Sequence, residues 1–192
     1  MDFLALAAHC GPTVHPVTTA AIVKTESAYN ALVIRDNTLG VTFKPIDLTT
    51  AQVIVDEQMK AGHPLAIGLM QVTTPWVKKL KLRAHELLDP CTNIRVGTSI
   101  LTVNYRVCAV PGRSQKRALE CALSMYWSGN GRLGGAYVNQ IYRLAGSGER
   151  VRETPGISDG LLGSSVSFHA PVIPAIKTFR YRVQTFSFAN PP

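Results

Sequence analysis

Apolar residues recur at helical spacing over the first three quarters of the chain, and few segments alternate apolar with polar positions. Phe3 to Cys10 reads as a first helix. Val17 to Tyr29 carries Ala20, Ala21, Val23 and Ala28, with Thr18 or Thr19 placed to cap its start. Asp36 to Pro45 is a loop broken by Asn37, Gly40 and Pro45, and a small hairpin fits between about 32 and 46. Thr49-x-x-Gln52 is a capping-box pattern opening a helix that ends at Gly62. Thr73 to Leu80 is shorter, with Pro75 tolerated in the first turn. Asn93 to Val107, Ser114 to Trp127 and Gly135 to Ala145 complete a mainly helical reading, in which strands are sparse. The pattern changes at Gly146. Gly, Ser and Pro then dominate to Pro174, and Thr178 to Phe188 alternates Phe179, Tyr181 and Val183 before Phe186 and Phe188 fall out of phase. The chain therefore divides into a helical domain, 1–146, and an extension of low regularity, 147–192. The extension reads as a disordered tail, with a strand or a partner-binding segment as the alternative.

Composition narrows the class. With 46% hydrophobic residues the chain can bury a substantial core, yet no apolar run reaches the roughly 18 residues of a membrane span. The net charge of +8 favours polyanions. The cations are scattered singly or in pairs, such as Lys78 with Lys79 and Lys116 with Arg117, and form no nucleic-acid stripe. Nucleic acid is therefore not an expected partner, while an acidic polymer such as the cell wall is compatible. His9, His15, His63, His85 and His169 are widely spaced without a ligand pattern, so neither a metal nor a cofactor is expected.

Cys10, Cys91, Cys108 and Cys121 include no C-x-x-C pair, which argues against zinc. They allow three disulfide pairings. Cys108 and Cys121 flank a short polar segment, and joining them alongside Cys10 with Cys91 would close one short and one long loop. Disulfides imply an oxidising compartment such as the periplasm; four buried free thiols in the cytosol are the alternative. The N-terminus carries no full secretory signal, because Asp2 precedes the apolar Phe3 to Ala8 and His9, Cys10 and Pro12 follow at once. Export would require a signal that this sequence does not display.

One carboxylate stands out. Glu26 ends the apolar run Ala21-Ile22-Val23-Lys24-Thr25. In an apolar cleft desolvation keeps a carboxyl protonated near neutral pH, the state a general acid needs to protonate a glycosidic oxygen. By spacing alone it would be a solvated helix-end residue. Four further motifs follow in order: Gly68-Leu69-Met70-Gln71, Asp89-Pro90-Cys91-x-Asn93, Ala122-Leu123-Ser124, and Tyr126-x-Ser128-Gly129-Asn130.

With His15-Pro16 and the Glu26 segment, these motifs resemble the lytic transglycosylases, and most closely the specialised enzymes of type IV secretion and conjugation systems, over about residues 4 to 144. The resemblance implies a lysozyme-like, two-lobed helical domain with a substrate groove. It implies peptidoglycan as substrate, cut between N-acetylmuramic acid and N-acetylglucosamine without water, and a periplasmic location. Glu26 would be both acid and base, so no second catalytic carboxylate is needed. Met70 and Gln71 would line the groove. Ser27, Tyr126 and Trp127 would contact substrate, whereas Tyr137 and Tyr142 read as core and Asp89 to Asn93 as a cap and disulfide anchor. The resemblance is incomplete: Ser27-Ala28-Tyr29-Asn30 replaces the usual continuation after the glutamate, Trp127 stands where asparagine is common, and His63 to Ile67 holds no counterpart of a substrate-touching serine. Two rival readings stand beside it: a catalytically weak or inactive groove-binding module that recruits secretion components, with the 147–192 tail as one route, and a hydrolytic lysozyme.

Overall fold

A computed structural model describes residues 2–146. The Gly/Ser/Pro-rich stretch, and the strand or partner-binding segment expected at Thr178 to Phe188, lie outside the described residues. Among the described residues are seven α-helices and a four-stranded antiparallel sheet, the mainly α, lysozyme-like organisation expected.

Helix α1 is Phe3–Cys10, capped by the Asp2 carboxylate, which accepts from the Leu4 N–H at 3.4 Å. Helix α2 is Pro16–Ser27. Its cap is neither Thr18 nor Thr19, which are buried inside the helix. Pro16, with φ preset for a first turn, starts the helix, and the His15 imidazole accepts from the Val17 N–H at 3.3 Å. Helix α3, Leu48–Lys60, likewise begins before Thr49. Asp47 accepts from both the backbone N–H (2.8 Å) and the hydroxyl (2.7 Å) of Thr50, and an ionised acceptor caps better than a threonine hydroxyl. Helix α4 is Thr74–Leu80, and a 3-10 turn follows at Ala84–Leu88. Helix α5, Pro90–Cys108, starts three residues earlier than expected because Asp89 accepts from the Thr92 N–H at 2.8 Å and Pro90 fits the first position. Helix α6 is Gln115–Ser128, with Ser114 as cap and Gly129 in the left-handed conformation at its end; α7 is Gly135–Leu144.

The expected hairpin is present as β1 (Ile34–Asp36) and β2 (Val41–Phe43). A second pair, β3 (Leu65–Ile67) and β4 (Val72–Thr73), extends it into the order β2-β1-β3-β4. Ile34 lies opposite both Phe43 and Ile67. The pattern did not reveal β3 because all three of its residues are buried, which removes the alternation that marks a strand with one wet face. Gly68-Leu69-Met70-Gln71 is the turn between β3 and β4.

The chain forms two compact units, Met1–Ser99 and a second from Ile100 onward. The first is built on Ile22, Val23, Ile34, Val55, Ile67 and Ile94, all fully buried, each contributing roughly 1.5–3 kcal/mol of transfer free energy. It contains the Cys10–Cys91 disulfide. The second packs α6 against α7 through Leu119, Ala122, Leu123, Val138 and Ile141, and contains the Cys108–Cys121 disulfide. Among the described residues no helix is long and apolar enough to cross a membrane.

Candidate active site

Glu26 is the penultimate residue of α2, half-buried, one turn beyond the fully buried Ile22 and Val23. The helix ends immediately after it because Ala28 and Tyr29 both take left-handed backbone conformations, φ 50° and 67°. Such conformations cost non-glycine residues free energy and occur where surrounding structure over-determines them.

Ser27 is what fixes this helix end. Its buried hydroxyl lies 3.1 Å from the Val23 carbonyl and 2.8 Å from the carbonyl of Leu69, to which it donates across 42 residues of sequence. The contact ties the residue next to Glu26 to the Gly68–Gln71 turn. Sequence reasoning placed Ser27 against substrate; its hydroxyl proton is here directed to protein carbonyls.

The turn itself is over-determined. Gly68 has φ +77°, and a Cβ at this position would meet the Asn93 amide and lie 2.5 Å from the Leu87 carbonyl oxygen. Asn93, fully buried, accepts from the Met70 N–H at 2.7 Å and donates to the carbonyls of Ile67 (2.8 Å) and Leu87 (2.7 Å). One side chain thus joins strand, turn and 3-10 segment. Met70 is fully buried, its sulfur filling the space over Gly97, where a Cβ would sit 2.5 Å away. Met70 is therefore part of the wall that supports the turn. Gln71 is half-buried with φ 48°, and its amide nitrogen donates to the carbonyls of Gly68 (3.0 Å) and Val33 (3.2 Å). With both amide protons held by backbone, the side-chain oxygen is the group it can offer a ligand.

The first unit thus brings together Glu26, Ser27, Met70 and Gln71. Tyr126 and Trp127 stand on α6 in the second unit. Tyr126 is half-buried; the Trp127 indole is 56% exposed and stacks on Tyr137, with ring centroids 6.2 Å apart and an interplanar angle of 20°. Tyr137 and Tyr142 are buried, as expected of core residues. Ser124 anchors the segment after α6 by donating to the Asn130 carbonyl (2.6 Å) and accepting from the Gly134 N–H (2.8 Å), a role that the Ala122-Leu123-Ser124 motif did not suggest.

The carboxylates between Glu26 and the turn are engaged elsewhere. Asp36 is fully buried and accepts from the N–H groups of Thr38 (2.8 Å) and Leu39 (2.9 Å), with His63 Nδ1 at 2.7 Å. Burial acts to raise its pKa, but the Leu39 N–H, the His63 ring and the Thr38 N–H outweigh it and hold the carboxyl below its ordinary value. Asp47 caps α3. Asp56 and Glu57 are exposed on α3, with Asp56 3.7 Å from His85 Nδ1. His63, expected to be structural or at the surface, is the partner of Asp36. No cluster of His, Cys, Asp or Glu fit to hold a metal occurs among the described residues.

Comparison with known proteins places this arrangement in a family. The transglycosylase SLT domain matches residues 3–140. The type IV secretion system protein virB1 of Brucella suis biovar 1 (strain 1330) is 35% identical over 132 residues, 68% of this chain and 55% of the relative. The protein virB1 of Agrobacterium fabrum (strain C58 / ATCC 33970) is 32% identical over 146 residues, 75% of this chain and 59% of the relative. That of Rhizobium radiobacter is 34% identical over 148 residues, 76% and 62% respectively. The matches thus span less than two thirds of each relative's length. No solved structure matches the chain significantly. A half-buried glutamate at the end of an apolar helix, bonded through its neighbour to a Gly-Leu-Met-Gln turn, lies inside the matched region: the chain belongs to the transglycosylase SLT domain family.

Proposed function

We propose that this protein is a lytic transglycosylase of the periplasm that cleaves the β-1,4 bond between N-acetylmuramic acid and N-acetylglucosamine and leaves 1,6-anhydromuramic ends. Its role is to open peptidoglycan locally for a type IV secretion or conjugation apparatus, as the name of the Brucella relative suggests. The observation that carries this reading is the position of Glu26, half-buried beside the Ser27–Leu69 tie, in a region where the other nearby carboxylates cap, pair or face solvent.

Glu26 acts first as acid, protonating the leaving glycosidic oxygen, with the substrate's own acetamido group assisting at C1. It then accepts the proton of the C6 hydroxyl as that oxygen closes on C1. The carboxyl is restored, and no water enters the product. An enzyme that delivered water would ordinarily use a second groove carboxylate. Gln71 offers its side-chain oxygen to a sugar hydroxyl or amide N–H, Met70 backs it from the wall, Ser27 holds the helix end, and Tyr126 and Trp127 supply a hydroxyl and a stacking face. The two cysteine pairs fit an oxidising compartment.

Digestion of purified sacculi followed by mass analysis is the test. Anhydro ends are expected; reducing N-acetylmuramic ends alone would replace this reading with a lysozyme-type hydrolase. Glu26→Gln is expected to lower turnover by roughly 10²–10⁴-fold with an unchanged circular dichroism spectrum. Wild-type protein that binds glycan without cleaving it would point to an assembly module instead.

A further inference from the structure

The Asp89 to Asn93 motif holds a residue that neither of its expected roles absorbs. Asp89 caps α5 and Cys91 carries the disulfide. Asn93 is fully buried in the first turn of that helix, its N–H bonded to the Asp89 carbonyl at 2.9 Å. Its side chain serves other segments. Oδ1 accepts from the Met70 N–H at 2.7 Å, and Nδ2 donates to the carbonyls of Ile67 (2.8 Å) and Leu87 (2.7 Å). The amide oxygen and both amide protons are thus engaged with main chain, which fixes the orientation of the amide.

Ile67 and Met70 stand at the first and fourth positions of a turn, whose C=O and N–H bond each other when a turn closes on itself. Asn93 serves both of these groups, so a side chain of α5 sets how the turn is held open. Gln71 follows at once. Its N–H returns to the Gly68 carbonyl at 3.1 Å, and its side-chain amide donates to the Gly68 and Val33 carbonyls. Its backbone is left-handed, φ 48°, a conformation that a non-glycine residue keeps only where neighbours over-determine it. Gly68 itself lies so close to the Asn93 amide that no Cβ fits between them. Asn93 therefore reaches Gln71 in two steps, first to the backbone of the turn and then through Gly68 to the glutamine amide.

We propose that Asn93 is a positioning residue: without touching substrate, it holds the turn so that the Gln71 side-chain oxygen is presented to the sugar, and thereby sets the affinity for glycan. The proposal rests on the reading of Gln71 as a substrate contact given above. A short amide suits the task because it offers a donor and an acceptor at once. Serine is too short to span both groups, and an ionised aspartate would turn lone pairs on the Ile67 and Leu87 carbonyls. Because Asn93 acts through Gln71, removing it can cost no more affinity than removing Gln71.

Affinity for soluble peptidoglycan strands, measured by titration calorimetry, provides the test. Every protein carries Glu26→Gln so that the strands stay intact. Gln71→Ala is expected to weaken binding about five- to tenfold, the worth of one hydrogen bond to an uncharged ligand. Asn93→Ser should weaken it by that much or less. The double variant should bind no more weakly than Gln71→Ala alone, whereas independent contributions would multiply. Asn93→Asp gives a second readout. Protonated, the new carboxyl accepts from the Met70 N–H and donates to one carbonyl; burial and the facing carbonyls favour that form. Relative to the parent protein, its affinity should be near normal at about pH 5 and fall toward that of Gln71→Ala at about pH 8, with an unchanged circular dichroism spectrum. Adding Gln71→Ala should remove this pH dependence. The second readout decides alone if Asn93→Ser does not fold. Losses that multiply, normal affinity in Asn93→Ser, or a pH dependence that persists with Gln71→Ala overturn the proposal, and so does affinity that falls only where the folded spectrum is lost. Those results leave Gln71 as a substrate contact. Unchanged affinity in Gln71→Ala removes that contact and the proposal with it, and a sacculus digest lacking anhydro ends bears on the reaction alone.

Discussion

Ala28 leaves α2 with φ 50°, directly after the pair Glu26-Ser27, and Tyr29 follows at φ 67°. Neither residue is suited to that conformation: Cβ crowds the following carbonyl oxygen, costing roughly 1–2 kcal/mol. The strain persists because both sides of it are fixed. The Ser27 hydroxyl is held by the Leu69 carbonyl, and the Asn30 N–H returns to the Ser27 carbonyl at 3.0 Å. Glycine adopts this region freely but loses more chain entropy on folding. Ala28→Gly is therefore expected to stabilise the protein by about 1 kcal/mol, a rise of about 2–4 °C in Tm. Thermal unfolding checks it; a fall in Tm would mean that Ala28 contributes packing that outweighs its backbone strain. Turnover should remain near wild type, since Glu26 keeps its helix and its neighbour. Glu26 itself was legible in the sequence only because other motifs accompanied it. Its helix has no strong apolar face and its burial is partial, so the residue alone resembles many surface glutamates.

The β1–β2 hairpin hangs on Asp36, which closes the turn with two backbone N–H bonds and reaches His63 at the entrance to β3. Because the carboxyl is held below its ordinary value in the folded chain, the unfolded chain binds the proton more readily. The stabilisation is therefore complete at neutral pH. It fades as pH falls through the ordinary carboxylate range, about 4, and is lost once the folded carboxyl takes its proton. Asp36→Asn should unfold at lower denaturant than wild type at pH 7, with a gap that narrows below about pH 4. Chemical denaturation at a series of pH values checks this; a gap that widens in acid would contradict the sign. This element also marks the limit of the sequence reading. The helices were legible from apolar residues at helical spacing or, as at Pro75 in α4, from a proline that fits a first turn. The hairpin was legible from its breakers. Strands β3 and β4 were not: they have three and two residues, and Leu65, Ala66 and Ile67 are buried without alternation. Caps were misplaced at Thr49 and at Thr18 or Thr19 because the charged Asp47 and the ring of His15, followed by Pro16, cap better from positions just upstream. The Gly68–Gln71 motif was found as a motif, but the Asn93 network that shapes it joins residues more than twenty positions apart, and no local pattern records such bonds.

At the scale of the whole chain, the four cysteines left three pairings open in the sequence, and the fold selects one bond inside each compact unit. Cys10 is the last residue of α1, just before Gly11, while Cys91 sits at the start of α5, so the first bond clamps together the two ends of a stretch that includes α2, the sheet, α3 and α4. Its cysteines are 81 positions apart, against 13 for Cys108 and Cys121. If each bond acts by restricting the unfolded chain, the long loop stabilises by about 4.5 kcal/mol and the short loop by about 3 kcal/mol. Replacing Cys10 and Cys91 together by serine should then cost more than replacing Cys108 and Cys121 together, with the excess near 1.5 kcal/mol. Denaturant unfolding of the two double variants, under conditions that keep the remaining bond oxidised, measures both losses. The comparison also locates them. Loss of the first pair should loosen the unit that holds Glu26 and Gln71 and depress turnover at temperatures where the wild type is stable. Loss of the second should act on the unit that carries Trp127. A larger loss from the short loop would show that local packing around Cys108 and Cys121, where the Arg113 guanidinium donates to the Cys108 carbonyl at 2.7 Å, matters more than chain entropy.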